Sequence, residues 1–479
     1  MMQHKRNGMF ERYRIIHFVG IGGIGMSGIA ELLHNLGYEV TGSDLKRSDK
    51  TERLKTLGMR ISIGHSSDNI DDPHVVVKSS AVSDTNPEVA EAKRRNIPVI
   101  PRAEMLAELA RLKYGVLVAG AHGKTTTTSL VSSILARGGL DPTVVIGGKL
   151  KATASNAQLG HGDFIVAEAD ESDGSFLKLS PAIAVVTNID KEHMDFFKTL
   201  ESLKQAFLSF MNKVPFYGTS IVCIENEHIR ELLPFIHRRL ITYGLSHEAE
   251  LRAENINKGF MSVDFDVFLK ETQIGHFYIP LPGIHNALNS LAAIGVGLTL
   301  NIDVQRIRDA LGKFAGIQRR CEFKGEMNGI AVYDDYGHHP AEIKATLRAM
   351  KESLLSRTGS GRVCVLFQPH RYTRTRDLID EFARSFSDAD ELVVIDIYPA
   401  GEPVLEGIHS EILCQKIREE GVQAVLYMKD RRQVAQYFRT HLKPGDIFLS
   451  LGAGDVWKEG ERLLEKLMQK EGPVNVGDK

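Results

Sequence analysis

The chain has 479 residues, 43% hydrophobic and 25% charged, with a formal net charge of −2. That balance describes an ordinary globular protein of about two to four domains and gives no electrostatic footing for nucleic acid or an anionic membrane. The four cysteines, Cys223, Cys321, Cys364 and Cys414, lack C-x-x-C spacing, which argues against a zinc site or a disulfide framework and for buried thiols in a reducing compartment. Residues 1–14 are polar and charged with no signal-like apolar core, and no apolar run is long enough to span a bilayer, so a cytoplasmic location is expected.

The run 15–19 reads as a buried strand and leads directly into Gly20-Ile21-Gly22-Gly23-Ile24-Gly25. Ile29, Leu32, Leu33 and Leu36 then mark one helical face, with Gly37 placed to stop the helix. Gly20, Gly22 and Gly25 therefore form G-x-G-x-x-G between a strand and a helix, and Gly23 lies within it. Asp44 ends the next strand (39–43) near the offset at which an acidic residue meets a ribose hydroxyl. The pattern suggests NAD, but what it physically recognises is a pyrophosphate, so a nucleotide diphosphate is the firmer inference. Tight turns also need glycine, which is the structural alternative. Strands at 60–63 and 75–79 and helices at 88–95 and 103–113 continue the alternation. Ser79 and Ser80 fall at a strand end, where open α/β sheets take ligands. This first domain is expected over residues 1–112.

Val116 to Ala119 is another short apolar strand, followed by Gly120-Ala121-His122-Gly123-Lys124-Thr125-Thr126 and a helix marked by Thr127, Leu130, Val131 and Ile134. A glycine turn at a helix N-terminus gathers backbone N–H groups where the helix dipole favours negative charge. Lys124 can reach β- and γ-phosphates and the Thr125 hydroxyl can ligate Mg²⁺. Val118 stands where the first glycine of the longer P-loop pattern belongs, leaving G-x-x-G-K-T, and the stretch still points to ATP.

The run 164–167 reads as a strand ending in Glu168-Ala169-Asp170-Glu171-Ser172-Asp173, and 182–187 as one ending in Asn188-Ile189-Asp190-Lys191-Glu192-His193-Met194-Asp195. Parallel order puts both ends on the edge that carries the phosphate loop, where carboxylates supply oxygen ligands to Mg²⁺. Glu168, expected immediately beyond its strand, is the leading ligand candidate, while His193 fits either a ligand or a structural hydrogen-bonding role. Alternation over 259–268 and a strand at 274–279 suggest an antiparallel excursion. Asn286 and Asn289 share one face of the helix that follows, and both adenine recognition and helix capping fit them. The central domain is expected over 113–318.

Residues 330–335 form a further strand, followed by Tyr336-Gly337-His338-His339-Pro340, with Pro340 suited to the first turn of a helix. Strand-like runs at 363–367, 392–395, 424–427 and 447–451 make a second open α/β sheet over 319–479. Arg371 and Arg374, just beyond a strand end, suit a carboxylate or phosphate by bidentate contact; solvated surface arginines are the alternative. A frayed tail is expected from Gln469.

In this order the motifs, with Asp334-Asp335-Tyr336-Gly337-His338-His339-Pro340 and His285-Asn286-Ala287-Leu288-Asn289 among them, resemble those of the Mur ligase family over nearly the whole chain. One departure is Ala121, where that family usually has threonine. The resemblance implies an α/β fold of three domains: a Rossmann-like UDP-binding domain, a P-loop ATPase-like domain with a mainly parallel sheet, and a C-terminal Rossmann-like domain. It implies a UDP-sugar on Gly20, Gly22, Gly23, Gly25, Asp44, Ser79 and Ser80, and an amino acid on Arg371 and Arg374. ATP would lie on Gly120, Ala121, His122, Gly123, Lys124, Thr125 and Thr126, with Asn286 and Asn289 near the adenine and Arg320 and Asp335 on the nucleotide. It also raises His193 to a metal-site residue beside Thr125 and Glu168.

The implied activity is ATP-dependent joining of L-alanine to the lactyl carboxylate of UDP-N-acetylmuramate, in cell-wall precursor synthesis, by a monomer or weak homodimer. A carboxylate has no leaving group, so the γ-phosphoryl of ATP would convert it to an acyl phosphate that the amine then attacks. Lys124, Glu168, His193 and Asp335 would serve phosphoryl transfer, and His338 or His339 the amine. With each substrate on its own domain, closure would assemble the site and exclude water. A nicotinamide oxidoreductase leaves Lys124, Glu168 and the second α/β sheet without a role, and a P-loop switch protein leaves the arginine-bearing sheet unexplained. A related muramyl-peptide ligase adding a preformed tripeptide is the nearest alternative; folylpolyglutamate-type ligases lack the first domain.

Overall fold

Apolar strand runs alternating with amphipathic helices give three sheets in this computed structural model, which describes residues 14–79, 81–111, 113–146 and 157–468. The first sheet holds β1 (Ile15–Val19), β2 (Glu39–Asp44), β3 (Arg60–Ile63), β4 (Val75–Lys78) and β5 (Val99–Pro101) in the order β3-β2-β1-β4-β5. All neighbours are parallel. The order reverses beside β1, so the glycine turn leaving β1 lies at the topological switch point, where such sheets bind ligands.

The second sheet contains β6 (Tyr114–Ala119), β7 (Thr143–Val145), β8 (Ala157–Gln158), β9 (Phe164–Glu168), β10 (Ile183–Val186), β11 (Thr219–Cys223), β12 (Leu240–Gly244), β13 (Leu251–Gly259), β14 (Ser262–Leu269) and β15 (Thr272–Ile279). Their order is β15-β14-β13-β12-β11-β10-β6-β9-β7-β8. β6 lies between β9 and β10, parallel to both, with Val118 opposite Glu168 and Ala119 opposite Val186. The ends of β6, β9 and β10 are thereby flush, as the sequence pattern requires. Three details differ from expectation. Glu168 is the last residue of β9 rather than the first beyond it, and β4 stops at Lys78. The alternation over 259–268 also crosses a turn, where Met261 has φ +51°, into β14.

The third sheet holds β16 (Glu322–Met327), β17 (Ile330–Asp335), β18 (Val363–Phe367), β19 (Glu391–Val394), β20 (Val425–Tyr427) and β21 (Ile447–Leu451), ordered β16-β17-β21-β18-β19-β20. Only the β16–β17 pair is antiparallel. Side chains alternate faces as strand geometry demands. Val363, Val365 and Phe367 pack into one apolar cluster with Leu449, while Cys364 and Leu366 pack into another with Phe448. Cys223, Cys364 and Cys414 are buried free thiols and Cys321 is partly buried.

Contacts group the chain into two compact units. The first runs through Ala253 and takes in Val267–Gly275 and Leu288–Leu311; the second takes in Glu254–Asp266, His276–Ala287 and Gly312 onward. The first sheet and β6 to β12 of the second share the first unit, and one apolar cluster is continuous across them, from Phe18 and Leu33 to Leu117 and Phe207. No helix among the described residues is long and apolar enough to cross a membrane.

Candidate active site

In the first unit β6 delivers the chain into a turn that only glycine can make. Gly120 has φ +136°, and a Cβ there would sit 2.1 Å from the Thr187 hydroxyl; Gly123 has φ +83°, and its Cβ would sit 2.6 Å from Asn289 Oδ1. Gly123 is the N-cap of the helix Lys124–Arg137 and offers no side-chain cap, so the first-turn N–H groups are left for an anion. Thr187 and Asn188, from the end of β10, clamp the loop. Thr187 Oγ1 donates to His122 O at 2.6 Å, and the His122 N–H donates to Asn188 Oδ1 at 2.8 Å.

Lys124 Nζ donates to both oxygens of Glu171, at 2.8 and 3.0 Å, and to the carbonyls of Gly120 and Ala121. Glu171 is only 1% exposed. Burial on its own would lower the proton affinity of the lysine, but the charges of Glu171, Asp170 and Glu192 overcome it and hold the ammonium above its usual range. Asp170 shows the converse: burial would raise its carboxyl, and Lys124, Ser172 and Arg102 hold it below the ordinary value. Thr125 and Thr126 are buried in the first turn, and Thr127 Oγ1 donates to Asn289 Oδ1 at 3.2 Å.

Glu171, Glu192 and His193 offer ligand atoms that all lie within 4.8 Å of one another. His193 Nε2 is 3.9 Å from Glu171 Oε1 and 3.8 Å from Glu192 Oε2, on a left-handed backbone at φ +57°. Two carboxylates and an imidazole beside a phosphate loop fit a divalent cation that completes its shell with phosphate and water. Glu168, half-buried at the end of β9, is not one of these three. Glu171 and Glu192 are what sequence reasoning underweighted; both stood in the quoted strand-end motifs, but nothing in their spacing shows which carboxylate turns toward Lys124.

The first glycine turn is built on Asp44. The Gly22 N–H donates to Asp44 Oδ2 at 2.8 Å, and the N–H groups of Gly20 and Ile21 both donate to Ser43 O at 2.9 Å. Gly23 caps the helix Ile24–Asn35, again without a side-chain hydrogen bond. Ser79 packs against Gly20, Arg102 packs against Gly25, and Ser80 lies outside the described residues. Arg102 also stands 3.8 Å from Asp170, joining this turn to the carboxylates around Lys124.

In the second unit Asp335 ends β17 and is buried, accepting from the N–H groups of Cys321 and Gly337, both at 2.8 Å. Burial raises its carboxyl pKa, against the pull of Arg320. Asn286 donates to Pro282 O at 2.7 Å, and burial with the Arg320 charge pushes His285 down to about 4. His338 is pushed down to about 4 by burial, which the Arg374 charge reinforces and the nearby Glu342 opposes. His339 is the buried N-cap of the helix Pro340–Thr358.

Arg371 caps the helix Tyr372–Asp377 at φ +71°, and Arg374 Nη1 lies 3.3 Å from His370 Nδ1. His370 stacks on Tyr398 at 5.6 Å and meets His338 edge to face at 5.7 Å. Burial, His338 and both arginines push His370 down to about 3. His370 and Tyr398 are thus site residues that the sequence did not single out. His370 was adjacent to the arginines, and Tyr398 is brought there only by the pairing of the segment after β19 with the segment after β18.

Three family models match the chain in order: Mur ligase family, catalytic domain, over residues 15–114; Mur ligase middle domain, over 118–297; and Mur ligase, glutamate ligase domain, over 319–454. The chain is 54% identical to a UDP-N-acetylmuramate–L-alanine ligase of Geobacter sulfurreducens, over 96% of this chain and 99% of that one. It is 55% identical to a ligase of the same description from Desulfosudis oleivorans, over 94% and 97%. Among solved structures, a UDP-N-acetylmuramate–alanine ligase from Thermotoga maritima superposes with TM-score 0.80 at 29% identity, covering 94% of this chain and 98% of that one. A murein peptide ligase from Psychrobacter arcticus shares the fold, with TM-score 0.68 at 24% identity over 96% and 99% of the two chains.

Proposed function

The chain belongs to the Mur ligase family, and from that premise we propose that it joins L-alanine to the lactyl carboxylate of UDP-N-acetylmuramate, converting ATP to ADP and phosphate. The observation that carries this reading is likeness to alanine-adding ligases along nearly the full length of both chains. The uncapped helix start beneath Lys124 gives that likeness a chemical basis.

Residues 113–318 take ATP, with its β- and γ-phosphates on the N–H groups between Gly120 and Thr126. Lys124 transfers its hydrogen bonds from Glu171 to the phosphates and keeps its proton there, because the surrounding carboxylates hold its ammonium charged. A lactyl carboxylate oxygen attacks the γ-phosphorus, the bond to the ADP oxygen breaks, and an acyl phosphate forms. The neutral amine of L-alanine then attacks the acyl carbon, and the carbon–oxygen bond to phosphate breaks to leave the amide. We assign Mg²⁺ to Thr125, Glu168 and His193, with Glu171 and Glu192 adjoining; when bound it supplies positive charge against the transferring phosphoryl oxygens.

Residues 1–112 hold the UDP-sugar through Gly20, Gly22, Gly23, Gly25, Asp44, Ser79 and Ser80. Asn286, Asn289, Arg320 and Asp335 serve the nucleotide. Residues 319–479 hold the amino acid, with its carboxylate on Arg371 and Arg374. Of the two adjacent histidines we favour His338 for the amine: burial keeps its imidazole neutral at pH 7 and able to accept a hydrogen bond. The work belongs to the cytoplasm, where ATP is supplied, and is done by a monomer or weak dimer.

The test is to incubate ATP and UDP-N-acetylmuramate with single amino acids and weigh the product. L-alanine gives the alanyl adduct, and borohydride added before the amino acid traps the activated lactate as an alcohol only when ATP is present. An adduct formed with a preformed tripeptide but not with alanine would overturn the substrate reading.

A further inference from the structure

The strand starts of the second sheet, at the edge opposite the phosphate loop, enclose a cleft of about 560 Å³ that the ligase reaction does not use. Gly115, Pro181 and Ala182 line it together with Tyr114 and Tyr217, whose rings meet edge to face at 6.4 Å. The aromatic surface continues outward: Tyr114 packs on Phe164 at 5.8 Å and Tyr217 on Phe216 at 5.2 Å, and Phe216 is 94% exposed. A contiguous run of aromatic rings left open to water is the kind of surface on which a folded protein binds something else.

The charges around the cleft are uneven. Arg111, Lys113 and Lys213 line it against a single carboxylate, Asp163. Arg111 is neutralised by Glu108 at 2.5 Å, and the Lys113 ammonium is tied to the carbonyls of Gly160 and Gly162. Lys213 is different: its ammonium makes no hydrogen bond or ion pair among the described residues. Burial alone pulls its pKa below the usual value, with no countercharge to restore it. An anion beside Lys213 supplies that countercharge, while a flat ring laid against Tyr114 or Tyr217 gains the stacking and edge contacts that aromatic pairs favour. The volume suits one small ligand.

We propose that this cleft is a second binding site, for a small aromatic anion that lays its ring against the aromatic surface of Tyr114 and Tyr217 and sets its acid group on Lys213. The occupant touches Arg111, in the last turn of the helix Arg102–Arg111, and Tyr114, the first residue of β6. It therefore bears on the stretch of chain where the first sheet's segment gives way to the second's.

Calorimetric titration of the full chain with 1-naphthoate, 1-naphthalenemethanol and cyclohexanecarboxylate tests this, since the two controls remove the charge and the ring in turn. The expected result is one site per chain, with naphthoate binding at least about tenfold more tightly than either control. Lys213→Gln and Tyr217→Ala, both at exposed positions, each weaken naphthoate by about tenfold and leave the melting temperature and ligase turnover unchanged. Saturating ATP leaves naphthoate affinity unchanged. Equal affinity for the neutral naphthalene, indifference to both substitutions, or displacement by ATP would each overturn the proposal. So would self-association of the chain that Phe216→Ser abolishes along with naphthoate binding, since the aromatic face would then belong to a protein contact.

Discussion

The carboxylates around Lys124 and the histidines around Arg374 are both buried polar clusters, and they meet burial in opposite ways. Around Lys124 each charge has an opposite neighbour: Glu171 is bonded to the lysine, and Asp170 is held ionised by it. Burial is overruled and the groups stay charged. Around His338 and His370, burial reinforced by the arginine charges outweighs the opposing Glu342 and Glu402, and the imidazoles stay neutral. The first arrangement suits a site that must receive a polyphosphate; the second suits one that must accept a hydrogen bond from an amine.

The sharpest way to break the contrast is at Lys124. Lys124→Ala is expected to lower turnover by about 10²–10³, and to destabilise the fold by about 3–5 kcal/mol because Glu171 is left as an unpaired buried carboxylate. Adding Glu171→Gln restores most of the stability and none of the activity, as urea titration and phosphate release will show. A double variant no more stable than the single one would remove countercharge as the reason the cluster tolerates burial.

Next in size is Arg374→Ala. Loss of one partner from a desolvated carboxylate clamp is worth about 2–5 kcal/mol, so KM for L-alanine rises at least about 30-fold while KM for ATP stays put. The same substitution removes a charge that depresses His370, so its pKa, followed by NMR, moves up toward the ordinary histidine value. A fall there would reverse the account of the histidine cluster.

Glu168→Gln is expected to raise the Mg²⁺ concentration needed for half-maximal activity by about tenfold. An unchanged requirement would transfer the ligand role to Glu171 and Glu192, which already stand together with His193. The smallest effect concerns pH. His338 and His370 titrate in the folded chain at about 4 and about 3, below the value of about 6.5 for an unfolded chain. Between these values the unfolded state binds protons that the folded state refuses, so stability falls as pH drops from about 6.5 toward 4. His338→Gln together with His370→Gln flattens that slope in urea titrations at pH 5 and pH 7.

What the sequence made legible follows from local chemistry. Both glycine turns, the helices they open and the strands that feed them are encoded by apolar runs and φ-positive glycines, and all appear where expected. β16 escaped notice because its residues are partly exposed and carry charges at Glu322, Lys324 and Glu326, so no apolar alternation marks it. β7 and β8 have three and two residues, too few for a period to register. In the site, Glu171 and Tyr398 could not be ranked, since each earns its role from a partner distant in the chain: Lys124 in one case and His370 in the other.

The flush ends of β6, β9 and β10 bear on which changes of chain length this protein can absorb. Val118 faces Glu168 and Ala119 faces Val186 in a two-sided parallel register. Inserting one residue within Phe164–Glu168 would therefore turn Glu168 to the opposite face of the sheet and push buried Ile165, Val166 and Ala167 out of phase with β6. The loop after Asp173 has no such partner strand. Libraries that vary segment length around the nucleotide should leave the interiors of these three strands untouched and place their insertions beyond the strand ends.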